Sequence, residues 1–154
     1  MALLSFWIGS LASWAEQPDV TSAAMFAVVH KMQSAQHAKA DLVESVTNRH
    51  LTSHGYWHST SDKNEHDLVT QVEMTNDRQG KTNSVLLSVN HTLHLSPDAV
   101  KQSCGAHPKE RQHPEPALKN ITFAYEYKQS GSWTNFWFTG SGAKAEVRYV
   151  EITY

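Results

Sequence analysis

Three histidines recur at intervals of four residues, His50, His54 and His58, and His66 follows a short distance along the chain. On a continuous helix, side chains four residues apart share a face, and three imidazoles placed in this way could bind zinc. Gly55 lies inside the run, and the Ser, Thr, Tyr and Trp residues around it disfavour a stable helix. The sequence therefore predicts a solvated histidine-rich loop, and zinc binding is the alternative hypothesis.

A second set of ligand-type residues lies in a proline-containing stretch, where Cys104 is followed by His107 and His113. Zinc sites with a closed shell use four ligands, and this spacing supplies three. The evidence for a Cys–His nucleophile pair is no stronger than that for zinc, because no nearby residue is placed to orient the base. We therefore predict no cofactor, with zinc at these residues as the alternative.

His91 is the one candidate for acid–base chemistry. The segment 84–95 alternates between apolar and polar residues, and His91 falls on the apolar side, facing the core or a cavity. A buried histidine is ordinarily satisfied by a tyrosine or a backbone carbonyl. In a curved sheet, His91 could instead act as an acid or base beside Tyr125 or Tyr127. No other catalytic residue is predicted.

The segment 133–139 is aromatic on both faces, which predicts a strand that is covered on both sides. Its rings are expected mainly in the core. If one face is exposed, Trp133, Trp137 and Phe138 would form a binding patch or a contact with a protein partner.

The first fifteen residues form an apolar segment without charged side chains, and it ends in the small-x-small pattern Ser13-Trp14-Ala15 that signal peptidase cleaves. A cleaved leader, a membrane anchor, an assembly helix and a core helix all remain open. As a helix the segment would span about 22 Å, which is short of the ~30 Å hydrocarbon core. The first three readings place the protein outside the cytoplasm, secreted, periplasmic or at the cell surface, with possible membrane contact through residues 1–15.

Composition restricts the partners. The 154 residues carry a formal net charge of −2, so the chain lacks the basic surplus that nucleic-acid binding requires. Self-assembly or a protein partner is therefore expected. Two N-x-[ST] sequons begin at Asn90 and Asn120, and both fall in predicted strands, where they carry little weight.

The sequence pattern predicts helical structure in the first part of the chain and β-strands in the rest. No Pro or Gly occurs from position 23 to position 50, and apolar residues recur at helical spacing, which predicts one helix over about 21–50. Alternating patterns then predict about five strands over 68–154, as a hairpin and a three-strand meander. A long loop over 96–119 separates the two parts.

The sum is a single α+β domain over 16–154, with one long N-terminal helix packed on an antiparallel sheet. This order of elements resembles three architectures: pilin-like subunits, cystatin-like domains and NTF2-like cones. The leading hypothesis is a non-enzymatic extracytoplasmic structural or assembly protein, such as a filament subunit or an accessory component of a pilus or secretion apparatus. One alternative is a secreted cystatin-like or NTF2-like binding or inhibitor module. Another is a small pocket enzyme that uses His91.

Overall fold

A computed structural model describes residues 20–108, 118 and 120–154. The apolar segment 1–15 and His113 lie outside these residues. Within the described part of the chain, three α-helices and eight strands follow one another. In chain order they are α1 (Val20–Ser34), α2 (Ala40–Thr47), β1 (Leu51–His54), β2 (Trp57–Thr60), β3 (Val69–Asn76), β4 (Thr82–Val89), α3 (Pro97–Cys104), β5 (His107–Pro108), β6 (Phe123–Gln129), β7 (Ser132–Thr139) and β8 (Glu146–Thr153).

All eight strands form one antiparallel sheet in the order β1-β2-β3-β4-β8-β7-β6-β5. The first four strands and the last four strands are each built from neighbours in sequence. The two halves join where β4 pairs with β8, from Ser84 opposite Thr153 to Ser88 opposite Tyr149. A bulge at Arg148 of β8 shifts its register against β7, because Arg148 has no opposite residue between Trp137 and Phe138.

One face of the sheet carries the hydrophobic core. The inward residues of the central strands are almost all Val, Leu, Ile or Phe, and the three helices cover them. Phe26 of α1 meets Phe136 of β7 edge to face, with ring centroids 6.3 Å apart. The buried residues of this core include Met25, Val29, Met32, Val43, Val72, Val85, Leu87, Val100, Phe136, Phe138, Val150 and Ile152.

The expectation of one helix over 21–50 is wrong, because the chain breaks at residues 35–39 into α1 and α2. Contacts with distant strands hold this break. The Thr82 hydroxyl donates to the Ala38 carbonyl, and the His37 ring packs 6.0 Å from the Tyr154 ring. Ala38 is fully buried by these contacts. The break thus lets both short helices lie on the sheet, where a straight helix of ~42 Å would overrun it.

The expectation of about five strands is also wrong, because the described residues form eight. The region from His50 to Asp67, predicted above as a histidine-rich loop, contains the β1–β2 hairpin, which turns at Gly55 with a φ of 76°. The predicted loop over 96–119 contains α3 and the short β5. Pilin-like, cystatin-like and NTF2-like plans were inferred from a single helix on five strands, so this correction removes their basis.

Among the described residues, no helix is both long enough and apolar enough to span a membrane.

Candidate functional site

The sheet face opposite the helices carries polar side chains around a small apolar cluster of Leu118, Ala124 and Trp137, and we call it the open face. No described helix packs on it, and its side chains form three rows that run across the strands. The middle row is Ser59, Glu73, Leu86, Glu151, Asn135, Glu126 and His107. The outer row is Trp57, Thr75, Ser84, Thr153, Trp133 and Lys128. The inner row is Gln71, Ser88, Tyr149, Trp137 and Ala124.

Glu151 lies at the centre of the middle row, and its carboxylate is oriented by two donors. Asn135 Nδ2 and Trp137 Nε1 each donate to Oε2 over 3.1 Å. No described residue donates to its Oε1. A carboxylate whose rotamer is fixed by its neighbours loses little side-chain entropy when it binds a ligand.

Glu73 lies two strands away from Glu151 in the same row, with Leu86 between them. Strands are spaced by roughly 4.8 Å, so the two backbones are about 10 Å apart. The Glu73 carboxylate forms no hydrogen bond or ion pair with another described residue. Two half-exposed carboxylates thus flank Leu86, which packs against the apolar cluster of Leu118, Ala124 and Trp137.

Exposed tryptophans stand at two places in the outer row. Trp57 on β2 is 44% exposed and Trp133 on β7 is 41% exposed. Four strand spacings separate them, which is roughly 19 Å. Only hydroxyl side chains lie between the two, and those of Thr75 and Ser84 are hydrogen-bonded over 2.8 Å.

The Trp133 ring is held in place by its neighbour on β6. Lys128 Nζ lies 5.5 Å from the ring centroid, within the range of a cation–π contact. Beside the ring is a shallow depression lined by Glu126, Trp133, Asn135 and Thr153. The indole therefore borders the depression together with a carboxylate, an amide and a hydroxyl.

A deeper groove of about 270 Å³ occupies the other end of the open face. Positive and negative side chains are mixed along its wall, so the groove has no strong charge preference. Its floor comes from the inner ends of β3, β4 and β8. The lining residues are Lys63, Glu65, Thr70, Gln71, Glu73, Leu86, Ser88, Val89, His91, Leu118, Arg148 and Tyr149.

The segment 61–67, which carries two groove residues, is fixed by buried polar side chains. Arg49 is 7% exposed, and its guanidinium binds the Asp62 carboxylate over 3.0 Å and reaches Asp67 over 3.5 Å. Asn90 Nδ2 donates to the backbone carbonyls of Glu65 and Asp67 over 2.8 and 2.9 Å. These contacts position Lys63 and Glu65 at the edge of the groove.

The structure separates the histidines that the sequence offered as metal ligands. His50 pairs with Glu44 over 2.8 Å, the His54 ring lies against Trp57, and His58 Nε2 lies 3.0 Å from Asn76 Nδ2. His66 is exposed in the segment after the hairpin. Over residues 20–108, 118 and 120–154, no group of three or more His, Cys, Asp or Glu residues is arranged to hold a metal ion.

Cys104 and His107 are separated in the same way. His107 lies at the edge of the open face, 4.0 Å from the Glu126 carboxylate. The Cys104 thiol lies beside the Tyr127 hydroxyl at the end of α3. Burial raises the pKa of this thiol to about 11, while the hydrogen bond with Tyr127 lowers it in part. Cys104 is therefore a protonated, weakly nucleophilic thiol at neutral pH.

The three aromatic residues predicted to form a binding patch lie on different faces. Trp133 is exposed on the open face, and Phe138 is buried in the helix-covered core. Trp137 points to the open face, but it is only 2% exposed because Leu118 and Ala124 pack against it. Of the three, only Trp133 can contact a ligand directly.

His91 lies just beyond the end of β4 and is exposed. Its backbone carbonyl accepts a hydrogen bond from Arg148 Nη1 over 3.4 Å, and the residue lines the deeper groove. The strand ends at Val89, since Asn90 turns the chain to bind the segment 61–67. The alternation of the strand therefore stops before His91. The prediction that His91 faces the core is wrong for this reason.

Sequence reasoning missed Trp57, Glu73 and Glu151 as members of one surface. The alternating pattern of each strand showed that these residues point away from the core. It did not show which strands would be neighbours in the sheet. Comparisons with protein-family models, curated proteins and solved structures find no significant match to this chain.

Proposed function

We propose that this protein is a non-enzymatic binding module whose open face binds a linear neutral oligosaccharide. The observation that carries the proposal is the outer row, in which Trp57 and Trp133 stand roughly 19 Å apart in one row across the strands. Hydroxyl groups fill the space between the rings, and the middle row of carboxylates and amides runs beside them.

Sugar chemistry matches this arrangement. A pyranose ring has a face of C–H groups, whose partial positive charge is attracted to the negative face of an indole. Its hydroxyls both donate and accept hydrogen bonds, so they can use acceptors such as Glu73 and Glu151 and the exposed hydroxyl of Thr153 as a donor. An extended chain of several sugars can contact both tryptophans at once.

Charge favours a neutral ligand over an anionic one. The deeper groove contains Lys63 and Arg148 against Glu65 and Glu73, and Arg148 also pairs with Glu146 over 2.9 Å. The middle row adds further carboxylates, which repel phosphate and sulfate groups. A neutral polyhydroxylated ligand meets no such penalty.

Two other functions remain as hypotheses with separate tests. The structural or assembly role depends on residues 1–15, which lie outside the described residues, and deleting them should abolish assembly under that hypothesis. The enzyme hypothesis depends on His91, and His91→Ala should abolish turnover. Neither change touches the two tryptophans of the outer row, so both hypotheses can be tested apart from oligosaccharide binding.

The direct test is calorimetric titration with linear hexasaccharides of β-1,4-linked glucose, xylose, mannose and N-acetylglucosamine. We expect saturable binding of at least one of them. Trp133→Ala and Trp57→Ala should each weaken it about tenfold, which corresponds to ~1.4 kcal/mol.

Tyr56→Ala is the matched control. Tyr56 is a large exposed aromatic residue beside Trp57, but it lies in the hairpin turn and outside the outer row. Its substitution should leave the affinity unchanged. No binding to any of the four sugars, or equal losses in all three variants, would overturn the proposal.

A further inference from the structure

The two sequons of the chain have opposite structural settings. Asn90-His91-Thr92 follows β4, and Asn120-Ile121-Thr122 precedes β6, so neither asparagine lies within a strand. N-linked glycosylation requires an amide nitrogen that can carry a bulky sugar chain into solvent. The two asparagines can therefore be compared directly as acceptors.

The Asn90 amide has no room for a sugar. The residue is 7% exposed, and both hydrogens of Nδ2 are used by the Glu65 and Asp67 carbonyls. Its Oδ1 accepts from the backbone N–H and the hydroxyl of Thr92 over 3.0 and 2.8 Å. A sugar on Nδ2 would replace one hydrogen and remove a contact that holds the segment 61–67.

Asn120 has the opposite setting. It is exposed, and its side chain forms no hydrogen bond with another described residue. Its backbone is left-handed, with a φ of 62°, a conformation that asparagine tolerates well and that is common in turns. A sugar chain on Nδ2 would leave all described contacts of the fold intact.

We infer that Asn120 is a site of N-linked glycosylation and that Asn90 stays unmodified in the folded protein. The sugar donor is an oligosaccharide linked to a polyprenyl pyrophosphate. A bond forms between Nδ2 and C1 of the first sugar, while the bond between C1 and the pyrophosphate oxygen breaks. The lipid pyrophosphate leaves with the bonding electrons, and the amide loses one proton to a base.

This inference depends on the prediction that the chain leaves the cytoplasm and is independent of oligosaccharide binding by the open face. The test is secretion of the full chain from a eukaryotic host, followed by isolation of the folded protein. Glycopeptides are then released with peptide N-glycosidase in heavy-oxygen water, and mass spectrometry locates each converted asparagine.

Two variants isolate the sites. Asn120→Asp keeps a residue that tolerates the left-handed backbone and should abolish the glycan completely. Thr92→Ala destroys the other sequon while keeping the Asn90 amide, and it should leave the glycan mass unchanged. A second version of each protein, with a known secretory leader in place of residues 1–15, separates failure of export from failure of the acceptor.

One glycan at Asn120, lost in Asn120→Asp and kept in Thr92→Ala, is the expected result. A glycan on Asn90 of the folded protein would overturn the inference. So would an unmodified Asn120 in the protein exported by the supplied leader.

Discussion

The two faces of the same sheet differ in what their residues do. On β7, the inward residues Thr134, Phe136 and Phe138 are fully buried beneath the helices. The outward residues of the same strand are Trp133, Asn135 and Trp137, which border polar grooves or hold Glu151. Because successive side chains of a strand point to opposite sides, stability and recognition can be assigned to alternate residues of one segment.

The largest expected effect comes from removing a ring on the covered face. Phe136→Ala should lower the free energy of unfolding by about 3–5 kcal/mol, because the cavity would lie between Phe26 and Tyr127. Trp133→Ala, on the same strand, should change it by less than about 0.5 kcal/mol. Urea unfolding of both variants measures the difference. Equal losses would show that the open face also stabilises the fold.

A polar residue within the core, Gln33, is expected to have a smaller effect on the free energy of unfolding. Gln33 is fully buried, and it donates to the Thr134 hydroxyl over 2.6 Å and accepts from the Tyr127 hydroxyl over 2.5 Å. Gln33→Leu should lower the free energy of unfolding by about 1–3 kcal/mol, because the Thr134 and Tyr127 hydroxyls each lose one of their buried hydrogen-bond partners.

A triple variant tests whether the lost partners cause this effect. Adding Thr134→Val and Tyr127→Phe to Gln33→Leu removes the two hydroxyls that lost this partner, so part of the stability should return. A triple variant less stable than Gln33→Leu would instead assign the loss to packing around Gln33. Chemical denaturation of the three proteins at one pH provides the comparison.

A third effect is absent at neutral pH and develops only in alkaline solution. Burial raises the pKa of Cys104 from 9.0 to about 11 and that of Tyr154 from 10.0 to about 12. The unfolded chain loses these protons first, so the folded protein binds more protons over this interval. The associated stability is complete below pH 9 and should be lost as pH rises towards 12.

Urea midpoints measured from pH 7 to pH 11 check this dependence. Cys104→Ser should flatten the decline that begins near pH 9, and Tyr154→Phe should flatten the part that begins near pH 10. A stability that stays constant up to pH 11 in the unmodified protein would contradict the burial of both groups.

Alternation in the sequence was sufficient to predict which residues of β4 face inwards. Val85, Leu87 and Val89 occupy every second position of β4, and all three are buried in the core. The pattern succeeds because a strand with one covered face must place its apolar residues at a period of two. The same reasoning could not identify the open face as a candidate binding surface, because that depends on which outward residues of neighbouring strands lie side by side.

The break between α1 and α2 shows why the helix prediction was wrong. Nothing between positions 35 and 39 forbids a helix locally, since the segment contains neither Gly nor Pro. The hydrogen bond between Thr82 and Ala38 and the packing of His37 on Tyr154 fix the break from positions far along the chain. Tertiary contacts of this kind override local helix propensity.

The sequence by itself determined the composition of each strand, the absence of a basic surplus and the inward residues of β4, because these depend on residue type and local spacing. Only the tertiary structure decided that Trp57 and Trp133 share one row and that Glu73 and Glu151 flank Leu86. It also decided that Asn90 is buried while Asn120 is exposed. The physical reason is that strand order and long-range hydrogen bonds join residues far apart in sequence, and no local pattern specifies those pairings.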